Sequence, residues 1–280
     1  MSVLEQIALA WQCLGHAFRH LLRPALWTPW LVLGALQALV VVAIWWSAHP
    51  WLSWAMVPFV RGAAGDPALH YPNLFRMLPM LFARVDLVVG ATLGAWTVGA
   101  STALFAASYA GGDARPAPAW GAAFRRALPL VLVNLPISLI ALVLSVAVEA
   151  IPQGAGIPHR LVWLATLGLT LICQAWFLYA TAYVVLEGRG PLSALAELPR
   201  AARRGLVAAL FLTIVTLTPL LPIQNLASAS STVVERGVPE LVGWLILAQI
   251  GVALVSSFLL TGSATLVFQS AIARRDESEW

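Results

Sequence analysis

Six stretches of this 280-residue chain contain no Asp, Glu or Arg: 24–60, 87–112, 127–148, 161–186, 205–234 and 241–273. Each reaches the length of about 20 apolar residues that lets a helix cross the hydrocarbon core of a bilayer. Lipid offers no hydrogen-bond partner to a bare backbone, so such segments are helices. The pattern predicts an all-α fold: a polytopic membrane helix bundle of six transmembrane helices, with 1–280 as a single integral membrane domain. Only 10% of the residues are charged, against about 25% in soluble domains, which excludes a water-soluble globule.

The 16 basic residues are all Arg, set against 12 acids, for a net charge of +4. Nucleic-acid binders cluster their cations on a soluble face. Here the Arg residues flank the spans instead, so no nucleic-acid partner is expected. Arg19, Arg23, Arg115, Arg125, Arg126, Arg189, Arg200, Arg203, Arg204, Arg274 and Arg275 share the side of the two termini, and Arg61, Arg76, Arg84, Arg160 and Arg236 lie opposite, a ratio of 11 to 5. Cytoplasmic loops carry the excess of cations, so both termini are expected in the cytoplasm. The all-Arg, Ala-rich composition points to a bacterial cytoplasmic (inner) membrane. No secretory signal is expected ahead of the first span, because Glu5 comes early and the apolar run is too long. Cys13 and Cys173 fall at different depths and read as free thiols.

Ahead of the first span, Leu4, Ile7, Trp11, Leu14, Phe18 and Leu21 recur at helical spacing, with Glu5, Gln12, His16, Arg19 and Arg23 on another face. This is an amphipathic helix suited to the membrane interface. Trp120, Phe124 and Leu128 against Arg125 and Arg126 repeat it before the third span. Leu192, Leu195 and Leu198 with Arg200, Arg203 and Arg204 repeat it before the fifth. The three interfacial helices imply a threefold internal repeat with units 1–110, 111–187 and 188–275 and a polar tail at 276–280. Ala17-Phe18-Arg19, Ala123-Phe124-Arg125 and Ala201-Ala202-Arg203 mark equivalent points. Arg125, Arg126, Arg200, Arg203 and Arg204 are the residues expected to form a cytoplasmic interface or docking surface.

The first outward loop, 47–85, is the least generic part. Trp45, Trp46, Trp51 and Trp54 gather at its start, and Leu74, Phe75, Leu78, Leu81 and Phe82 form a helical stripe near its end. Trp51, Trp54, Phe75 and Phe82 are expected to make contacts on the outer face, as an aromatic belt, a lid or a docking surface. Small residues permit close helix approach, so Gly90, Gly94 and Gly99 in the second span and Gly251 in the sixth are expected at packing contacts.

Catalytic signatures are not found. His16, His20, His49, His70 and His159 show no ligand spacing, and neither a phosphate-cradling Gly loop nor a GxSxG elbow occurs. No catalytic residue, metal or cofactor is expected. Asp86 and Glu149 are the carboxylates nearest the membrane core, expected to be solvated or paired with Arg84 or Arg160. Gln37, Asn134 and Gln174 lie within apolar runs as a polar core, either as interhelical glue or as a polar pathway. Pro136 and the Pro219–Pro222 stretch resemble the broken helices of transporters, although proline near a helix end is ordinarily a terminator.

The segment Val184-Val185-Leu186-Glu187-Gly188-Arg189-Gly190-Pro191-Leu192-Ser193-Ala194-Leu195, followed by Arg203-Arg204-Gly205 and a new span, resembles a broad group of six-span bacterial inner-membrane proteins. That group is related to the membrane domain attached to some glycerophosphodiester phosphodiesterases. Leu198 and Pro199 depart from the pattern, the first standing where a Ser is expected and the second bending the helix. These 280 residues show no soluble phosphodiesterase segment, so the resemblance implies a helical bundle and no activity is expected from it.

Taken together, these features suggest a non-enzymatic membrane scaffold or accessory subunit that contacts membrane lipids and other membrane proteins. One alternative is a transport permease whose segment Glu197 to Gly205 docks an ATPase, although Leu198 and Pro199 break the usual coupling spacing. A lipid-related membrane enzyme lacks any acid, base or metal constellation. The Arg ratio sets an expected topology: reporters fused after residue 275 or within 111–118 read cytoplasmic, and one within 62–70 reads outside. A cytoplasmic signal from 62–70 reverses the orientation.

Overall fold

The computed structural model describes residues 1–149 and 159–272; Arg274, Arg275 and the tail 276–280 lie outside them. Among the described residues every regular element is helical and no strand occurs. Five helices are long and apolar enough to cross a membrane: Pro24–Trp45, Asn73–Tyr109, Ala127–Leu144, Leu164–Val185 and Leu241–Ile272. A sixth candidate is a bent pair, Pro191–Leu217 and Leu220–Ala227, angled by 50° at a short break. The protein is therefore a polytopic helical bundle.

The helices follow local sequence signals. Helix α1 (Val3–Arg19) opens on a capping box in which the Glu5 N–H donates to Ser2 Oγ and the Ser2 N–H donates to Glu5 Oε2, satisfying two orphan donors. After a short turn, α2 (Pro24–Trp45) starts at a proline, where the missing N–H costs no helical bond. The 24–60 run then splits, because α3 (Pro50–Ala64) begins anew at Pro50 after His49 in extended conformation.

Helix α4 (Asn73–Val89) passes through a π turn at Gly90–Gly94 into α5 (Ala95–Tyr109), so the second span starts well before residue 87. The reason is the stripe at its start: Leu74, Phe75, Leu78, Leu81 and Phe82 are buried in protein. Next come α6 (Pro116–Arg125), α7 (Ala127–Glu149), α8 (His159–Phe177) and α9 (Ala180–Val185). Helix α10 (Pro191–Leu217) is kinked at Gly205, where φ is −144°. Then follow α11 (Leu220–Ser228), α12 (Ser230–Glu235) and α13 (Leu241–Val267), which ends in a π turn at Phe268–Ile272. The fifth expected span is not one straight helix. Pro219 and Pro222 cannot donate to the preceding turn, and the axis bends there.

The chain forms two compact units that do not follow the repeat units read from the sequence: Met1–Pro29, Gly90–Thr216 and Ser257–Trp280 in the first, Trp30–Val89 and Leu217–Ser256 in the second. The division falls inside long helices. In the first unit, small residues of the short helices join the bulkier Leu130, Tyr179, Tyr183 and Phe268 in one core, and the Tyr183 and Phe268 rings meet edge to face at 4.8 Å. In the second, Val41 and Ile44 of α2 pack with the α4 stripe and with Val242, Ile246 and Ile250 of α13.

The packing glycines divide. At Gly99 an added Cβ would lie 2.6 Å from Leu130 Cδ1, so α5 and α7 touch there only because no side chain intervenes. Gly262 faces the Phe105 ring in the same way. Gly94 is buried. Gly90 and Gly251 are exposed with open space around them, so neither marks a close contact. A small-residue spacing identifies a smooth face, and the neighbouring helix need not lie on it. Gly99→Leu is expected to destabilise the chain by about 1–3 kcal/mol through overpacking, whereas Gly90→Leu leaves the thermal midpoint in detergent unchanged; equal midpoints for both variants would refute this packing.

Candidate functional site

The richest polar arrangement surrounds the turn between α9 and α10, in the segment that carried the resemblance. Gly188 adopts φ +71°, the left-handed conformation that favours glycine at a helix end. The Arg189 N–H bonds back to the Tyr183 carbonyl at 3.2 Å. Its guanidinium lies 5.2 Å from the centre of the Tyr183 ring. It donates through Nε to Glu187 at 2.6 Å and through Nη1 to Glu197 at 2.7 Å. Arg200 donates to the same Glu197 carboxylate from one helical turn further on, at 3.0 Å. Burial alone would lower the pKa of Arg189, but the hydrogen bonds and charges of Glu187 and Glu197 outweigh it and raise the value. The first turns of α10 are thus pinned to the turn before them.

Arg126 completes the arrangement from the opposite direction. It stands at the break between α6 and α7, and its Nη1 donates to the carbonyls of Val184 and Val185, which close α9. A cation at a helix C-terminus satisfies orphan acceptors and suits the local dipole. Gly188 is small where Arg126 passes: a Cβ there would meet Arg126 Nη2 at 3.2 Å.

The expected docking set therefore separates. Arg125, Arg200 and Arg203 are exposed. Arg126 is half-buried and committed to α9, so it is not part of a free docking surface. Arg204 is partly buried and engaged by another group of the chain.

Helices α1, α6 and the first half of α10 share one construction. Helix α1 buries Gln6, Ala10, Cys13 and Ala17; α6 buries Ala119 and Ala123; the first half of α10 buries Ala194, Leu198 and Ala201. Ala17, Ala123 and Ala201, the first residues of the three marked tripeptides, are thus all buried. The large residues Leu4, Trp11, Phe18, Phe124 and Leu192 stay exposed. Sequence periodicity found the aromatic faces of α1 and α6 but missed the alanine faces that seat them; in α10 the expected Leu face divides, with Leu192 exposed and Leu198 buried beside Ala194 and Ala201. Burial pushes the Cys13 thiol up to about 11, which leaves it protonated and unreactive near neutral pH.

The polar core residues do not form one network. Gln37 Nε2 donates to Asp86 Oδ1 at 2.6 Å, joining α2 to α4 within the second unit, and Gln37 Oε1 is buried without a hydrogen-bond partner among the described residues. Arg84, the partner expected for Asp86, donates instead to the Ala63 carbonyl at the end of α3. Asn134 donates to the Leu130 carbonyl of its own helix at 2.8 Å. Gln174 is half-buried on α8. On the outer-face set the structure is equally selective: Trp51 and Trp54 are 82% and 80% exposed, whereas Phe75 and Phe82 are 4% and 6% exposed and belong to the core of the second unit. The described residues hold no cluster of three or more His, Cys, Asp or Glu side chains able to bind a metal ion.

Arg126→Ala would leave two helix-end carbonyls unpaired in a part-buried site, with an expected loss of about 1–3 kcal/mol in unfolding stability. Arg126→Lys should recover part of that loss, since an ammonium can still donate to one of them; a neutral effect of the alanine variant would mean that water serves these carbonyls equally well. Comparison of the chain with protein-family models, with curated proteins and with solved structures finds no match.

Proposed function

We propose that the chain is a non-enzymatic membrane scaffold or accessory subunit of a membrane complex, residing in a bacterial cytoplasmic membrane with both termini inside. The observation that carries this reading is the common design of α1, α6 and the first half of α10. Each seats an alanine-rich face in the first unit and leaves large apolar side chains and Arg on its other faces. A helix that already has its protein contact and still displays aromatic and cationic groups is suited to hold lipid or a second protein. The polar groups around the α9–α10 turn are engaged in holding helix ends in register, which suits a rigid platform better than a reaction centre.

A second reading, a permease subunit, draws on the kink at Gly205, which separates a short helix from the following apolar segment as a docking helix requires. Here Glu197 is already held by Arg189 and Arg200, so a docking partner would meet a preset surface.

The test replaces Arg125, Arg200 and Arg203 together by Gln and isolates the full chain from gently solubilised membranes. The scaffold reading expects a stoichiometric membrane-protein partner with the wild type, lost from the variant while insertion and thermal midpoint stay normal. A co-purifying ATPase lost in the same way would favour the permease. If the wild type is isolated alone, these Arg residues serve only to position the chain against anionic lipid, worth about 1 kcal/mol each, and the scaffold reading fails.

A further inference from the structure

Helix α3 has two unlike faces. Phe59, Val60, Ala63 and Ala64 pack into the core of the second unit, and the Arg84 guanidinium fastens the last turn by donating to the Ala63 carbonyl. On the other face Trp51, Trp54, Pro58 and Arg61 follow one another at helical spacing, all exposed. Arg61 is already neutralised by Asp66 at 2.6 Å, so the stripe is aromatic and carries no free charge.

The position of this stripe is constrained. Four residues, 46–49, link α3 to the end of α2 at Trp45, and a connector of that length reaches about 15 Å at most. The end of a membrane span is the bilayer boundary, so the first turns of α3, which carry Trp51 and Trp54, start close to it. Trp45 meets the exposed Trp244 of α13 edge to face, with ring centres 6.1 Å apart, and Trp46 is exposed as well. Trp45, Trp46 and Trp244 thus put aromatic rings at the ends of two spans, and the α3 stripe begins a few residues further along the chain; indole rings favour the headgroup level.

Between α2, α3 and α4 lies a groove of about 140 Å³ lined by Val40, Ala43, Ile44, Met56, Phe59 and Val85. It presents apolar side chains alone. A bound peptide would bring backbone N–H and C=O groups that need partners, whereas a hydrocarbon chain needs none. Leu39 and Val42 on the same stretch of α2 are exposed, which makes the groove continuous with the lipid-facing surface of the span.

We propose that α3 is a phospholipid-binding helix: Trp51 and Trp54 sit at headgroup level, and the groove against α2 takes a segment of one acyl chain. This rests on the membrane-spanning architecture and is independent of any partner on the Arg-rich side.

The full chain, reconstituted in phosphatidylcholine vesicles brominated either near the headgroup end or near the middle of the acyl chain, tests the first part. The fluorescence lost between wild type and the Trp51→Phe/Trp54→Phe double variant reports these two indoles. Stronger quenching of that component by shallow than by deep bromines is expected. Quenching by aqueous iodide with no response to either bromine would overturn the proposal in favour of a protein-docking face, and stronger deep quenching would overturn the headgroup placement. For the groove, phosphate analysis after detergent exchange should find one retained phospholipid fewer per chain in Ala43→Phe, with an unchanged thermal midpoint. Ala43→Leu serves if the larger ring impairs folding. Equal lipid content in wild type and a folded variant, or none in the wild type, would overturn the acyl-chain site.

Discussion

A helix broken within or beside a membrane releases carbonyls that lipid cannot satisfy, and the structure places a side-chain donor at one break after another. Trp27 Nε1 reaches back to the Leu21 carbonyl at the junction of α1 and α2, at 2.7 Å. Arg126 closes α9. The Tyr179 hydroxyl donates to the Gly205 carbonyl at the kink of α10, at 3.2 Å, and Arg84 takes the Ala63 carbonyl at the end of α3. These donors permit a chain of mostly apolar residues to turn aside into short helices at its boundaries. The partly exposed ion pairs around Glu197 add little by comparison, because water and salt screen them.

The order of helices was legible because charge-free runs and prolines act locally. Pro24, Pro50, Pro116 and Pro191 each open a helix through a missing N–H rather than through tertiary context, yet Pro50 lies inside the 24–60 run and the new helix it starts was not foreseen. What the sequence could not disclose was the solvent of each apolar face. The stripe from Leu74 to Phe82 has the period of an amphipathic helix, but periodicity is the same whether that face meets lipid or another helix. Only the arrival of Val41, Ile44 and Val242 makes it a protein core. Gly90 and Gly99 illustrate the same limit, since both are small residues on one continuous helix and Leu130 faces only the second.

Long-range polar partners were similarly hidden. Gln37 and Asp86 are 49 residues apart and share no motif, while Arg84, the obvious partner two positions away, is directed to a helix end. Arg126 looked interchangeable with Arg125 in sequence, yet Arg125 ends α6 facing outward while Arg126, at the break before α7, turns onto α9. The pairing of Arg189 with Glu187 and Glu197 is local in sequence, yet it too was not foreseen, because the Leu-Glu-Gly-Arg segment stood out only by its resemblance.

Helices α1, α3, α6 and the first half of α10 are solutions to one energetic problem. Leaving a Trp ring in water forfeits on the order of 3 kcal/mol of hydrophobic stabilisation, too much to leave uncovered at Trp11, Trp51 and Trp54 in a chain of ordinary marginal stability. Burying those rings inside the protein would need space that the alanine-lined seats of α1 and α6 do not offer. Placing them at the membrane boundary resolves both demands, since the indole body enters hydrocarbon while its N–H stays with headgroups or water. The small residues therefore set the geometry: alanines hold the helix axis close to the bundle, and the bulky side chains have only the bilayer, or a partner sharing it, left to cover them.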